Sequence, residues 1–300
     1  MSAFVGVGPV FVLGSGTETT YKPVTIEFLT ITGGNHTGGT GVGGGIQVRQ
    51  GAYLHLQNVT VTANSANYGG GIGINTPGGP QSTLTQCVVD SNSANYGGGI
   101  YVGPQTSVNL VQCSVDGNVA AEGSGGGIYT DIGSDIGVHQ TVVAGNSALA
   151  YCERNGLGPD CVPGRFGGGL YVASGLYMTN STISGNRLEL IGGQSEQVQG
   201  GGLYIALGPN QSISGTIVAH NTAQENFGAG GAGSGDGGGI FAASQNPASS
   251  LSLTGVYVID NTATSGNAGG ISNQGTLVLT NTTVAGNTGA NCSGGTGCPP

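Results

Sequence analysis

Asp90 and Asp116 each stand two places before an asparagine. A fold that stacked those asparagines at strand spacing would bring the two carboxylates to about 5 Å of each other. Such a pair could serve as nucleophile and acid in a retaining glycosidase, or hold a cation. No Lys or Arg stands beside them, and no aromatic residue shares their position in the repeat, so turn aspartates bonding local amides is the plainer reading. His36, His55, His139 and His220 fall at four unrelated positions, which argues against a metal site. The stretch GGAGSGD, Gly230 to Asp236, comes within one place of the Gly-Gly-x-Gly-x-Asp calcium unit but occurs once. No cofactor is therefore expected, calcium being the weak exception. Cys152 and Cys161 flank the insert CERNGLGPDC, and Cys292 and Cys298 bracket CSGGTGC; both pairs read as local disulfides of an oxidising, extracellular setting. Cys87 and Cys113 are either a third pair between stacked coils or two buried thiols. There is no GxSxG elbow, and the one lysine, Lys22, sits in no phosphate loop.

The elements that position these residues follow from a repeat. A Gly-rich landmark ends at Ile46, Ile72, Ile100, Ile128, Leu170, Leu203, Ile240 and Ile271, and an asparagine follows each at Asn64, Asn92, Asn118, Asn146, Asn186, Asn221, Asn261 and Asn287. Three places before each asparagine stands Val or Ile, from Val61 to Val284, and eight before it an apolar residue, from Leu56 to Leu279. Apolar residues alternate along these stretches with a period of two, the mark of strands with one buried face. Glycine load and β-branched columns exclude helix. These spacings predict an all-β fold, a right-handed parallel β-helix of about eight to nine coils, as one domain over residues 1–300. Stacked coils place Asn on Asn, a structural ladder; Asn58, Gln86, Gln112, Gln140, Asn180 and Asn281 suggest a second one.

Composition agrees with a solenoid and narrows the partners. Gly 64 and Pro 11 make a quarter of the chain, which without a period would suggest disorder. A net charge of −9 with only five Lys or Arg argues against nucleic acid. No apolar run is long enough for a membrane helix, and no membrane insertion is expected. The first residues read as a strand instead of a leader, and neither end shows a cap; the chain is expected to be a segment of a longer surface protein.

The unit GGGIYVGPQTSVNLVQCSVDGNVA, residues 97–120, resembles the bacterial β-helix repeats of polymorphic outer-membrane proteins and related large surface proteins. The likeness runs from about residue 24 to 290, with Val or Ile where that group carries Phe before x-x-Asn, and without its membrane-anchoring barrel. It implies a pectate-lyase-like fold, which enzymes also use. A lyase of this fold would show a basic residue near clustered acidic calcium ligands, and a polygalacturonase an Asp-Asp pair with Gly-His-Gly; neither pattern is present.

One stripe suggests binding. The residue after five successive landmarks is Tyr101, Tyr129, Tyr171, Tyr204 and Phe241, expected to form an exposed aromatic ladder. The large insertions, 147–166, 187–199 and 222–236, all lie between an asparagine and the next landmark, and should stack as a loop wall beside that ladder. They carry nine of the nineteen charges: Glu153, Arg154, Asp160, Arg165, Arg187, Glu189, Glu196, Glu225 and Asp236. Two functions fit: an extracellular or cell-surface structural and adhesive module that associates end to end with copies of itself, or a module that binds or cleaves surface glycans through the ladder.

Overall fold

The computed structural model describes residues 7–151, 165–191, 197–207, 211–226, 234–244, 250–264 and 268–298. Within them every regular element is a strand, and every ladder between neighbouring strands is parallel. Each coil contributes in turn to four sheets of ten, nine, nine and eight strands. The first sheet holds the landmark strands, such as Ile100–Val102; the second holds longer strands, such as Ser107–Val111. The third holds three-residue strands, such as Ser114–Asp116, and the fourth begins at Asn35–His36 and follows the asparagines.

The period of two is visible as burial: in Ser107–Val111 the second and fourth residues are buried and the others are half-exposed. Register then stacks like on like, Val89 on Val115 on Val143 and Leu84 on Leu110 on Val138. The inward residues form one continuous core from Ile26 to Leu277. A solenoid can grow this way because each added coil buries its apolar face against the last.

Three places per coil require left-handed backbone. Asn58, Gln86, Gln112, Gln140, Asn180 and Asn281 all have φ between 48° and 54° and mark the turn between the second and third sheets. Five of the six are exposed, so the column read as a second amide ladder is a row of turn residues. Ala63, Ser91, His220 and Asp260 serve the next corner at φ of 54° to 57°, just before the landmark asparagines. The landmark glycines meet a tighter demand. Gly97 lies at φ 60°, a Cβ on Gly98 would stand 2.5 Å from the Val119 carbonyl oxygen, and one on Gly99 would crowd the Asn118 amide at 3.0 Å. Only glycine lets the chain pass so close to the next coil.

The insertions begin and end as strands. Ser147–Tyr151, Arg187–Ile191 and Thr222–Asn226 lengthen the fourth sheet, and Arg165–Phe166, Gln197–Gln199 and Ser234–Asp236 pair in parallel as a fifth, three-stranded sheet. Between them lies a second apolar cluster of Ala120, Ala148, Leu188, Leu190, Val198 and Ala223. The wall expected from the sequence is thus a packed side lobe where it is described.

At the C-terminal side, the Cys292–Cys298 disulfide closes a short loop over the last full coil. Thr296 N–H donates to the Gly275 carbonyl at 3.1 Å, and the Thr296 carbonyl accepts from Leu277 N–H at 2.9 Å. This edge carries a partial cap that the sequence reading did not anticipate.

Candidate functional site

The asparagine ladder comes first because it aligns everything else. The Asn92 N–H and Nδ2 both donate to Asn118 Oδ1 at 3.0 Å, while the same Nδ2 reaches back to the Val61 carbonyl at 2.9 Å. The pattern repeats at each step from Asn64 to Asn287; it starts from Gly34 N–H on Asn64 Oδ1 and ends on Asn291 Oδ1. All eight asparagines are buried, and their polar groups are consumed within the ladder. They are a structural device.

A second polar column lies five places before the asparagines and was missed as a unit. Cys87 N–H donates to Cys113 Sγ at 3.4 Å, Cys113 N–H to Thr141 Oγ1 at 3.2 Å, Thr141 N–H to Ser181 Oγ at 3.2 Å, and Ser181 N–H to Thr216 Oγ1 at 3.3 Å. Cys87 and Cys113 are buried free thiols, which corrects the disulfide alternative. Each stands just before a third-sheet strand, Val88–Asp90 or Ser114–Asp116, and its thiol donates to a carbonyl, Cys87 to Thr85 at 3.2 Å and Cys113 to Leu84 at 3.3 Å. The hydrogen bond with Cys87 and, after it, burial push the Cys113 thiol up, so it stays protonated. The signal was present as Cys, Thr or Ser at one recurring position. Of the other disulfide candidates, Cys292 and Cys298 are bonded, and Cys152 and Cys161 lie outside the described residues.

The aromatic ladder forms in register, with Tyr101 on Tyr129, Tyr129 on Tyr171, Tyr171 on Tyr204 and Tyr204 on Phe241. Ring centroids are 4.6 to 5.8 Å apart and neighbouring planes lie within 17° of parallel. The ladder is not the exposed floor expected from sequence. Tyr101 is 7%, Tyr204 6% and Phe241 1% exposed, with Tyr129 and Tyr171 half-buried. Two causes act together. Rings stacked along the axis spend their faces on one another, leaving only edges outward. A second row, standing just before the landmark glycines, covers the ladder from outside: Tyr68 lies tilted 5.2 Å from Tyr101, Tyr96 edge-on 5.6 Å from Tyr129, and Phe166 stacks on Tyr204 at 4.4 Å. Tyr68, Tyr96 and Phe166 could have been found from their shared place before the glycines. Burial raises the phenols, Tyr204 to about 12; Tyr101 also donates to Asp131 Oδ2 at 3.1 Å, and that carboxylate pushes it higher still.

The charged wall is only partly brought together. Arg187 pairs with Glu189 at 2.8 Å, and Asp236 is buried on the fifth sheet beside Gln199. Arg165 and Glu225 lie on strands, with side chains outside the described residues, as are Glu153, Arg154, Asp160 and Glu196 entirely. Most of the GGAGSGD stretch, Gly230–Gly233, also lies outside them. Asp90 and Asp116 are directly paired in register, and Asp90 accepts from Ser91 Oγ at 3.3 Å. The histidines stand apart: His36 Nδ1 contacts the Val42 carbonyl at 3.1 Å, His139 Nδ1 the Thr179 hydroxyl at 2.9 Å, His55 packs edge-on to Tyr53, and His220 occupies a corner. Among the described residues no three His, Cys, Asp or Glu side chains gather as metal ligands.

The family model described as a right-handed beta helix region matches residues 10–148. The match fits the four parallel sheets wound by the same segment. The chain is a right-handed parallel β-helix. No curated protein and no solved structure matches it. The matched part of the β-helix ends where the first long insertion, 147–166, begins.

Proposed function

We propose that this β-helix is a structural module of an extracellular or cell-surface protein, a stiff rod that spaces or presents other parts and adheres through its outer faces. The observation that carries the reading is the fate of its chemistry-bearing columns. The eight asparagines, the thiol and hydroxyl column and the aromatic ladder are all buried or half-buried and bonded to their own kind. Residues spent this way stabilise a rod and leave little for turnover. The Cys292–Cys298 bond supports an oxidising compartment. The outward third-sheet column, in which Val88, Val142, Ile217 and Tyr257 are each more than a third exposed and alternate in part with Thr60, Ser114 and Thr182, offers a mixed apolar and hydroxyl face for adhesion.

The test joins imaging to chemistry. Negative-stain micrographs over a concentration series should show rods of single length joined into multiples as concentration rises. The same protein, incubated with a panel of polysaccharides, should release no new reducing ends. Sustained release of reducing ends would overturn the structural reading in favour of an enzyme, and rods that stay single at every concentration would remove end-to-end association from it.

A further inference from the structure

The aromatic ladder stops at Tyr101. The next two places in its column are Gly73 and Gln47, and the face opens there into a cleft of about 460 Å³. Its polar lining comes from Thr40, Gln47, Arg49, Gln50 and Asn75, with Gly16 at one side. Ladder hydrogen bonds between coils hold the walls in place: Gly16 N–H donates to the Gln50 carbonyl at 3.0 Å, Arg49 N–H to the Leu13 carbonyl at 2.8 Å, and Asn75 N–H to the Val48 carbonyl at 2.9 Å. The site is therefore formed before any ligand arrives, which lowers the entropic cost of binding.

Arg49 is half-buried in this cleft. The one ion pair among the described residues joins Arg187 to Glu189, so no described carboxylate lies within 4.0 Å of the Arg49 guanidinium. In a chain with fourteen acidic and five basic residues, a sheltered cation without an acidic partner among the described residues is out of pattern. Its Nη2 donates to Gln47 Oε1 at 2.6 Å, and Gln47 is only 7% exposed. A guanidinium cannot accept, so the amide oxygen must face it, and the Gln47 Nε2 hydrogens are left to donate elsewhere. Arg49 and Gln47 then present a planar fork and an amide N–H to the same space, the arrangement that recognises a carboxylate.

We propose that the Arg49 cleft binds a small organic carboxylate of about monosaccharide size, the scale of small-ligand pockets generally. The guanidinium accepts the carboxylate charge, Gln47 orients the guanidinium and adds a donor, and Asn75, Gln50 and Thr40 contact the rest of the ligand.

D-glucuronate and D-glucose form a matched pair that isolates the carboxylate, and titration calorimetry or ligand-observed NMR on the whole chain reads both. Glucuronate should bind and glucose should not. Arg49→Gln should weaken glucuronate at least tenfold, Gln47→Leu less, while Arg187→Gln, which removes a paired cation elsewhere, should leave it unchanged. Arg49→Lys keeps the charge without the fork and should also lose most of the affinity, so the fork is tested even if Arg49→Gln fails to fold. Equal binding of the two sugars, no glucuronate binding into the millimolar range, or equal losses from Arg49→Gln and Arg187→Gln would each overturn the proposal.

Discussion

Coils up to residue 148 and coils beyond it share the asparagine ladder, the inward core and the aromatic ladder but differ in the connection from each asparagine to the next landmark. In the first half successive ladder asparagines are 26 to 28 residues apart, and across the insertions 35 to 40. The ladder does not register the difference: Asn92 N–H reaches Asn118 Oδ1 at 3.0 Å, and Asn146 N–H reaches Asn186 Oδ1 at the same distance. The extra chain is discharged at one corner, where it acquires a sheet and an apolar cluster of its own. A stacked coil thus tolerates insertion wherever the added residues can leave the axis and bury their apolar side chains against one another.

If the ladder is indifferent to insertion, Asn118→Ala and Asn221→Ala should cost the same. Removing the Asn118 side chain leaves the buried Asn92 N–H without its acceptor and takes one hydrogen bond each from the Asn92 amide and the Val89 carbonyl, the Asn92 Nδ2 keeping its bonds to Val61 and Asp90. A buried unpaired group costs about 1–3 kcal/mol and the two lost bonds add to it, so both variants should lose about 3–5 kcal/mol in denaturant unfolding. A gap of more than about 1 kcal/mol between them would mean the insertions do load the ladder.

Leu188→Ala addresses the half with the side lobe. It should cost about 2–4 kcal/mol through the cavity it leaves. The loss should concentrate in amide exchange of the fourth- and fifth-sheet strands at 187–191 and 197–199, with the first half protected as before.

Alkaline pH should act on both halves through the aromatic ladder. Burial raises Tyr101, Tyr129, Tyr171 and Tyr204 above the ordinary phenol value of 10, so the unfolded chain releases these protons first. Below about pH 10 both states are protonated and stability is unaffected; above it the unfolded state is favoured, and the Tyr204 contribution fades as pH rises through about 12. Denaturant midpoints measured against pH should fall from about pH 10 upward, and Tyr204→Phe should flatten part of that fall.

The smallest contrast lies within the thiol column. Cys113→Ser keeps an acceptor for the Cys87 N–H and should cost less than about 1 kcal/mol, whereas Cys113→Val leaves that N–H unpaired and should cost about 1–3 kcal/mol. Equal costs would show that the column packs without bonding.

The coil count, the strand faces and the corner that takes insertions were legible because each rests on like residues recurring at one place in a repeat. The period of two through Val89, Val115 and Val143 is enough to assign an inward face, and eight asparagines in phase are enough to stack the coils. The burial of the ladder was not legible in that way. Whether Tyr101 meets solvent depends on Tyr68, which precedes a glycine in the neighbouring coil and reaches across by its own rotamer. The thiols of Cys87 and Cys113, likewise, share a column that sequence can identify, yet their bonding depends on how two Cβ atoms are directed. Periodicity specifies which residues become neighbours; the direction of each side chain, and so which neighbour covers or bonds another, is decided only when the coils are packed.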